Sequence, residues 1–142
     1  MWVAEMELAN ALARQQKWAE AAKYFQAALE DYLRDTNDSG ERNKPTDDWA
    51  ISLRSSMVDT LENDADGAKD PAKQREALAQ RIQEIELRDE KAHPCVDGTF
   101  QSLGILKQRP DLPEFAQRRD AVIAKTLSLC PEFRSKLNNV AK

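Results

Sequence analysis

Apolar residues recur at helical spacing through most of the chain, and polar stretches cut the pattern into segments. Met6, Leu8 and Leu12 form one stripe, and Ala21, Phe25, Ala28, Leu29 and Tyr32 form a second. The segment 3–33 is rich in Ala, Leu, Glu, Gln and Lys, all good helix formers. It is too long and too two-faced for one straight surface helix. The polar run Arg14-Gln15-Gln16-Lys17 before Trp18 therefore predicts a turn, despite having no glycine. Two antiparallel helices follow from this, about 3–15 and 19–34. Residues 35–48 hold almost no apolar side chain and read as a loop longer than most connections. Thr46 with Asp47 and Asp48 then makes a helix N-terminus: the hydroxyl suits an orphan N–H, and the carboxylates suit the positive end of the dipole.

Trp49, Leu53, Met57 or Val58, and Leu61 make a third stripe. This helix is expected to end near Asn63, because the following stretch is polar and contains Gly67. Asp70-Pro71 restarts a helix, with Asp as cap and Pro in the first turn, where its missing N–H costs little. Leu78, Ile82 and Ile85 form a narrow apolar seam on an otherwise charged helix. That helix is expected to reach about Lys91, to expose most of its circumference, and to stop before Pro94. A fifth helix spans about Asp97–Gln108 with Phe100, Leu103, Ile105 and Leu106. Pro110-Asp111-Leu112-Pro113 is a break, and Pro113 opens a sixth helix carrying Phe115, Val122, Ile123, Leu127 and Leu129. After Pro131 a short tail helix uses Phe133 and Leu137. The expected fold class is all-α: three antiparallel helical hairpins, about 3–34, 47–92 and 96–130, with a capping tail over 131–142. The whole of 1–142 is read as one domain.

Composition narrows the function. A chain of 142 residues is one domain's worth and long enough to sustain a core without staples. Lys and Arg number 21 against 25 Asp and Glu, a formal net charge of -4. That balance argues against duplex nucleic acid, which wants a concentrated positive field. No apolar run approaches the roughly 18 residues that would span a membrane. Four glycines and six prolines are too few for the turns of a β-sandwich. No basic stretch followed by an apolar leader precedes the first helix. Taken at face value, Met1 implies a cytoplasmic protein; it also fits a start added after a leader is removed.

The first hairpin resembles a tetratricopeptide repeat, a helix-turn-helix unit of about 34 residues. Leu8-Ala9 and Leu12 match its first helix, Trp18 the aromatic at the turn, and Ala21, Phe25, Ala28 and Leu29 its second. Small Ala9, Ala21 and Ala28 let two helices approach closely, while Leu8, Leu12 and Phe25 fill the layer between them. The last hairpin matches more loosely. Phe100, Leu103 and Gly104 keep the spacing, and Leu127, Leu129 and Pro131 resemble a repeat's end, but Arg119 stands where a small residue belongs. The middle hairpin keeps Trp49 and the helical period alone. The resemblance implies a stack of hairpins that binds a peptide or protein on a concave face and does no chemistry. Some members of the family clamp a carboxylate there. Asn10 occupies the clamp's Asn position and Arg14 lies one turn on, but Met6 replaces the basic partner and Ile105 fills the equivalent place in the last hairpin. The clamp is incomplete. Met6, Asn10, Arg14 and Trp49 are the candidate partner contacts.

Candidate chemistry adds little. Cys95 precedes the fifth helix and Cys130 ends the sixth, so both fall at the same edge of an antiparallel hairpin. A disulfide and two reduced thiols both fit; the bond would place the protein in the periplasm or outside the cell. His93, Cys95 and Cys130 are too few for a zinc site, and no metal or cofactor is expected. A Cys–His pair of Cys95 and His93 reflects adjacency in sequence. Glu62, Asp64, Asp66 and Gly67 have the early spacing of a calcium loop, but Lys73 stands where its bidentate Glu belongs. Lys107, Arg109, Arg118 and Arg119 read as solvated charges. The expected function is a non-enzymatic protein–protein interaction module, an adaptor or assembly factor. The alternative is a structural or accessory subunit that packs into a larger assembly through exposed apolar seams: Trp2, Trp49 and the Leu78, Ile82, Ile85 row.

Overall fold

A computed structural model describes residues 1–109 and 112–140, with side chains through Leu137. Pro110 and Asp111 of the expected break lie outside the described residues. The fold is all-α, with seven α-helices and no strand among the described residues. They are α1 Trp2–Arg14, α2 Trp18–Arg34, α3 Asp48–Ala68, α4 Pro71–Asp89, α5 Asp97–Gln108, α6 Ala116–Leu129 and α7 Phe133–Val140. A 3-10 turn, Pro113–Phe115, leads into α6. The chain divides into two compact units, Met1–Ala77 and Leu78–Lys142.

In the first unit α2 packs against both α1 and α3. The glycine-free turn after α1 closes on Gln16, which takes the left-handed conformation at φ 60°. Its N–H donates to Ala13 O and the Lys17 N–H to Leu12 O, both at 2.9 Å, which satisfies carbonyls the helix end would orphan. The core joins Ala9, Leu12, Ala21, Phe25, Ala28, Leu29 and Tyr32 to Leu53 and Met57 of α3. Leu8 departs from expectation: it is 43% exposed. The stripe that meets the core is Trp2, Met6, Ala9 and Ala13, and Leu8 sits on the flank of it, about a hundred degrees from Ala9.

The loop between α2 and α3 is folded by its own polar groups. Asn37 Oδ1 accepts the Ser39 and Glu41 N–H groups at 2.9 and 3.1 Å, and Gly40 supplies a φ of 78° that costs a side chain-bearing residue strain. Asn43 Nδ2 donates to Tyr32 O at the end of α2. The N-cap of α3 is Asp47, but neither it nor Thr46 bonds the first turn through its side chain. Asp47 Oδ2 accepts instead from the Tyr32 hydroxyl at 3.0 Å and the Lys44 N–H at 2.8 Å. Helix α3 runs past Asn63 to Ala68, because Ala65 is buried and Asp64 pairs with Lys73 at 3.1 Å; left-handed Lys69 ends it. The expected cap of α4 forms, with Asp70 Oδ1 accepting the Ala72 N–H.

In the second unit Leu78, Ile82 and Ile85 meet Leu106 of α5 and Val122 of α6. Each such side chain contributes about 1.5–3 kcal/mol when buried. The seam thus covers itself within the chain and is not an exposed docking row. Part of the charged surface of α4 also turns away from water: Arg81, Glu84, Arg88 and Asp89 are buried, while Arg75 and Glu76 are exposed. The tail forms as expected, with Phe133 and Leu137 buried and the Phe133 ring 5.3 Å from that of Phe100. Leu129, expected inside, is exposed. It occupies the last turn of α6, where Cys130 turns inward. Cys95 and Cys130 are joined as a disulfide with Cα atoms 5.5 Å apart, within the range the bond requires.

Candidate interaction face

Residues three, seven, ten and fourteen apart share one side of a helix. On α3 these are Trp49, Ser52, Ser56, Asp59 and Asn63, all exposed or half-buried. This stripe borders α1. At one end the Trp49 ring lies 5.1 Å from that of Trp2, which in turn meets Tyr32 edge-on at 5.3 Å. At the other end Ser56, Asp59 and Asn63 face Asn10 across a shallow groove of about 200 Å³ whose floor includes Trp18 and Phe25. The stripe spans fourteen residues, or about 21 Å. An extended chain of about six residues has that length.

The groove offers hydrogen bonds over an apolar floor. The Asn10 and Asn63 carboxamides each donate and accept, which matches the N–H and C=O of a peptide backbone. Ser52 and Ser56 are small enough to let a chain lie close. Trp49, half exposed, stands outside the groove at the far end of the α3 stripe. Burial and the bond to Asp47 push the Tyr32 hydroxyl up to about 12, so it stays a donor across the neutral range.

Of the four residues expected here, Asn10 lines the groove and Trp49 marks the far end of the α3 stripe. Met6 packs against the core of its unit, and Arg14 is exposed in the last turn of α1. Ser56, Asp59 and Asn63 were missed in the sequence. The signal for them was a polar row continuing Trp49 at i+7, i+10 and i+14, overshadowed by the apolar row beside it.

A second cavity, of about 460 Å³, lies beside the disulfide and is lined by Asp89, Lys91, His93, Cys95 and Leu129 among others. With both sulfurs bonded, Cys95 is neither a nucleophile nor a metal ligand, and the Cys–His and zinc readings lapse. Asp89 is 7% exposed, and its Oδ1 has no hydrogen-bond partner. Burial pushes its carboxyl above the usual range, against the lowering influence of Thr126 and Lys125. Thr126 Oγ1 lies 2.7 Å from Asp89 Oδ2 and 2.9 Å from Val122 O. A hydroxyl has one proton to give. The Thr126 hydroxyl therefore shares its donation between Asp89 Oδ2 and Val122 O.

Deeper in the same unit Glu84 is fully buried. Its Oε1 accepts from Arg88 Nε at 2.7 Å and from the Ser102 hydroxyl at 2.5 Å, and its Oε2 accepts from Arg81 Nη1. Gly98 lies beside this network: a Cβ there would fall 3.0 Å from Arg88 Nη1, so the guanidinium would have to give way by a few tenths of an ångström. The acids proposed for a calcium loop, Glu62, Asp64 and Asp66, lie within α3 and not in a loop. No helix among the described residues is long and apolar enough to cross a membrane. Comparison with known family models, curated proteins and solved structures finds no match to this chain.

Proposed function

We propose that this protein is a non-enzymatic interaction module whose first unit acts as a degenerate tetratricopeptide-like element, holding an extended protein segment along α1 and α3. The observation that carries this reading is the α3 stripe, which meets Asn10 across a groove floored by Trp18 and Phe25. Side chains suited to a peptide backbone, Asn10, Ser56 and Asn63 among them, line this groove between two helices. The disulfide supports an oxidising compartment, where such bonds persist. Site-specific photocrosslinking tests the proposal. A benzophenone side chain at Ser56 should capture a polypeptide partner in the native cell, and one at exposed Gln83 of α4 should not. Equal capture from both positions, or capture at Ser56 unchanged by Asn10→Ala and Trp49→Ala, rejects it.

A structural-subunit reading draws on a different surface. Leu8 and Tyr24 are exposed large apolar residues on the α1–α2 hairpin. Light scattering separates the two: a monomer at high concentration favours the module.

A further inference from the structure

Independently of the groove, we infer that Asn37 is an acceptor for an N-linked glycan, transferred from a lipid diphosphate-linked oligosaccharide by a membrane-bound transferase. The first observation is the triplet Asn37-Asp38-Ser39, an Asn with a hydroxyl residue two positions on and no proline between. None of the chain's other asparagines has Ser or Thr at that place. The second is where the fold puts the triplet. A bridge between Thr36 and Arg42 narrows the α2–α3 loop to a tip, and every residue from Arg34 to Arg42 is exposed. A bulky glycan there displaces no packed side chain. The third is compartment. The Cys95–Cys130 bond belongs to an oxidising space such as the periplasm or the lumen of the endoplasmic reticulum, and proteins exported through such a space are the ones whose Asn-x-Ser triplets serve as acceptors.

The turn also prepares the carboxamide for the step. Asn37 Oδ1 accepts the Ser39 and Glu41 N–H groups, while Asn37 Nδ2 donates to none of the described residues. Two donors on the oxygen stabilise the negative charge that gathers there as Nδ2 yields a proton. Transfer forms a bond from Nδ2 to the anomeric carbon of the oligosaccharide and breaks that carbon's bond to the diphosphate oxygen. The lipid diphosphate leaves, one Nδ2 proton passes to a base of the transferase, and nothing is oxidised or reduced. The exposed Ser39 hydroxyl makes no bond among the described residues, so it is open to recognition. Asp35, exposed two residues before Asn37, accepts the Thr36 N–H through Oδ1, which leaves Oδ2 for a basic group of the transferase.

Mass spectrometry of the full chain purified from its native cell tests this. Trypsin cuts after Arg34 and Arg42 and releases the triplet within one short peptide. That peptide should carry a sugar mass on Asn37, and the intact protein should exceed its polypeptide mass by the same increment. Asn37→Asp keeps the oxygen the turn uses and removes the nitrogen. Ser39→Ala keeps the turn's N–H and removes the hydroxyl. Both variants should lose the glycan entirely with an unchanged circular dichroism spectrum, and Ser39→Thr should keep it. Loss of the glycan in Asp35→Ala assigns a transferase that grips the acid, and retention assigns one that reads Asn37 and Ser39 alone; either supports the inference. A bare peptide from the native protein overturns it. So does a sugar that persists in Asn37→Asp, since it sits on another residue, and so does a glycan indifferent to Ser39→Ala.

Discussion

Replacing Glu84 by Gln keeps the shape of the side chain and removes its charge. Glu84 has no solvent exposure, and three donors converge on its carboxylate: Arg81, Arg88 and Ser102. A glutamine retains one acceptor oxygen. Its amide nitrogen must then point at either an arginine or the Ser102–Arg88 pair, donor against donor. Each hydrogen bond to a charged group contributes about 1.5–3 kcal/mol, and at least one is lost outright. The larger cost is that buried guanidinium groups lose their anion, and breaking a buried ion pair from one side typically costs about 3–5 kcal/mol. We expect Glu84→Gln to destabilise by that amount and to lower the melting temperature by roughly 10–20 °C. Urea titration followed by far-ultraviolet circular dichroism measures it. Ser102→Ala, which removes a single donor, should cost less than half as much. A Glu84→Gln loss under about 1 kcal/mol would refute the reasoning, because it would mean the carboxylate is not the counter-charge its neighbours depend on.

Three further outcomes are expected. Cys130→Ser, which opens a ring spanning 35 residues, should cost about 4 kcal/mol by the loop-entropy relation, and the oxidised native protein should titrate no free thiol; two titrating thiols would contradict the bond. Gln16→Gly should stabilise by roughly 0.5–1 kcal/mol, since glycine takes the left-handed conformation without the steric cost a side chain brings; an unchanged denaturation midpoint would place that residue elsewhere in backbone space. The Asp89 carboxyl is raised in the folded state, so the native protein binds its proton more tightly than the unfolded chain does. Its contribution is complete below the unfolded value of roughly 4 and is lost as pH rises through the raised folded value. Asp89→Asn should therefore match or exceed the parent's stability at pH 7 and lose that advantage toward pH 4; a variant weaker at pH 7 than at pH 4, relative to the parent, would contradict the direction.

The helices were legible because period and punctuation agreed. Asp70-Pro71 read as a start, and α4 is capped there by the Asp70 carboxylate. Phe133 and Leu137 read as a tail helix and are buried in one. The turn at Gln16 was also legible, from polarity alone, although its left-handed residue gave no sign in the sequence. What escaped was burial that runs against hydrophobicity. Arg81, Glu84 and Arg88 follow the i, i+3, i+7 spacing that marks a surface salt-bridge row, and a sequence does not distinguish such a row from a buried one. Ser102 of α5 meets it, and Gly98 of α5 lies against the Arg88 guanidinium. Leu8 erred in the opposite sense, since a hydrophobic residue on the flank of a stripe reads as part of it. For the candidate face, the resemblance to a repeat pointed to Asn10, which lines the groove, and to Trp49, which does not. Ser56, Asp59 and Asn63 needed the α1–α3 juxtaposition before they meant anything.

The account stands or falls on the face between α1 and α3. Titrating a peptide from the partner crosslinked at Ser56 into isotopically labelled protein and following amide, carboxamide and indole resonances maps the contact directly. The Trp49 indole N–H, the Asn10 and Asn63 carboxamides and the amides of Ser52 and Ser56 should shift together, saturably, at one affinity. Saturating shifts confined to the cavity around Asp89 and His93, with the α3 stripe unmoved, would contradict it.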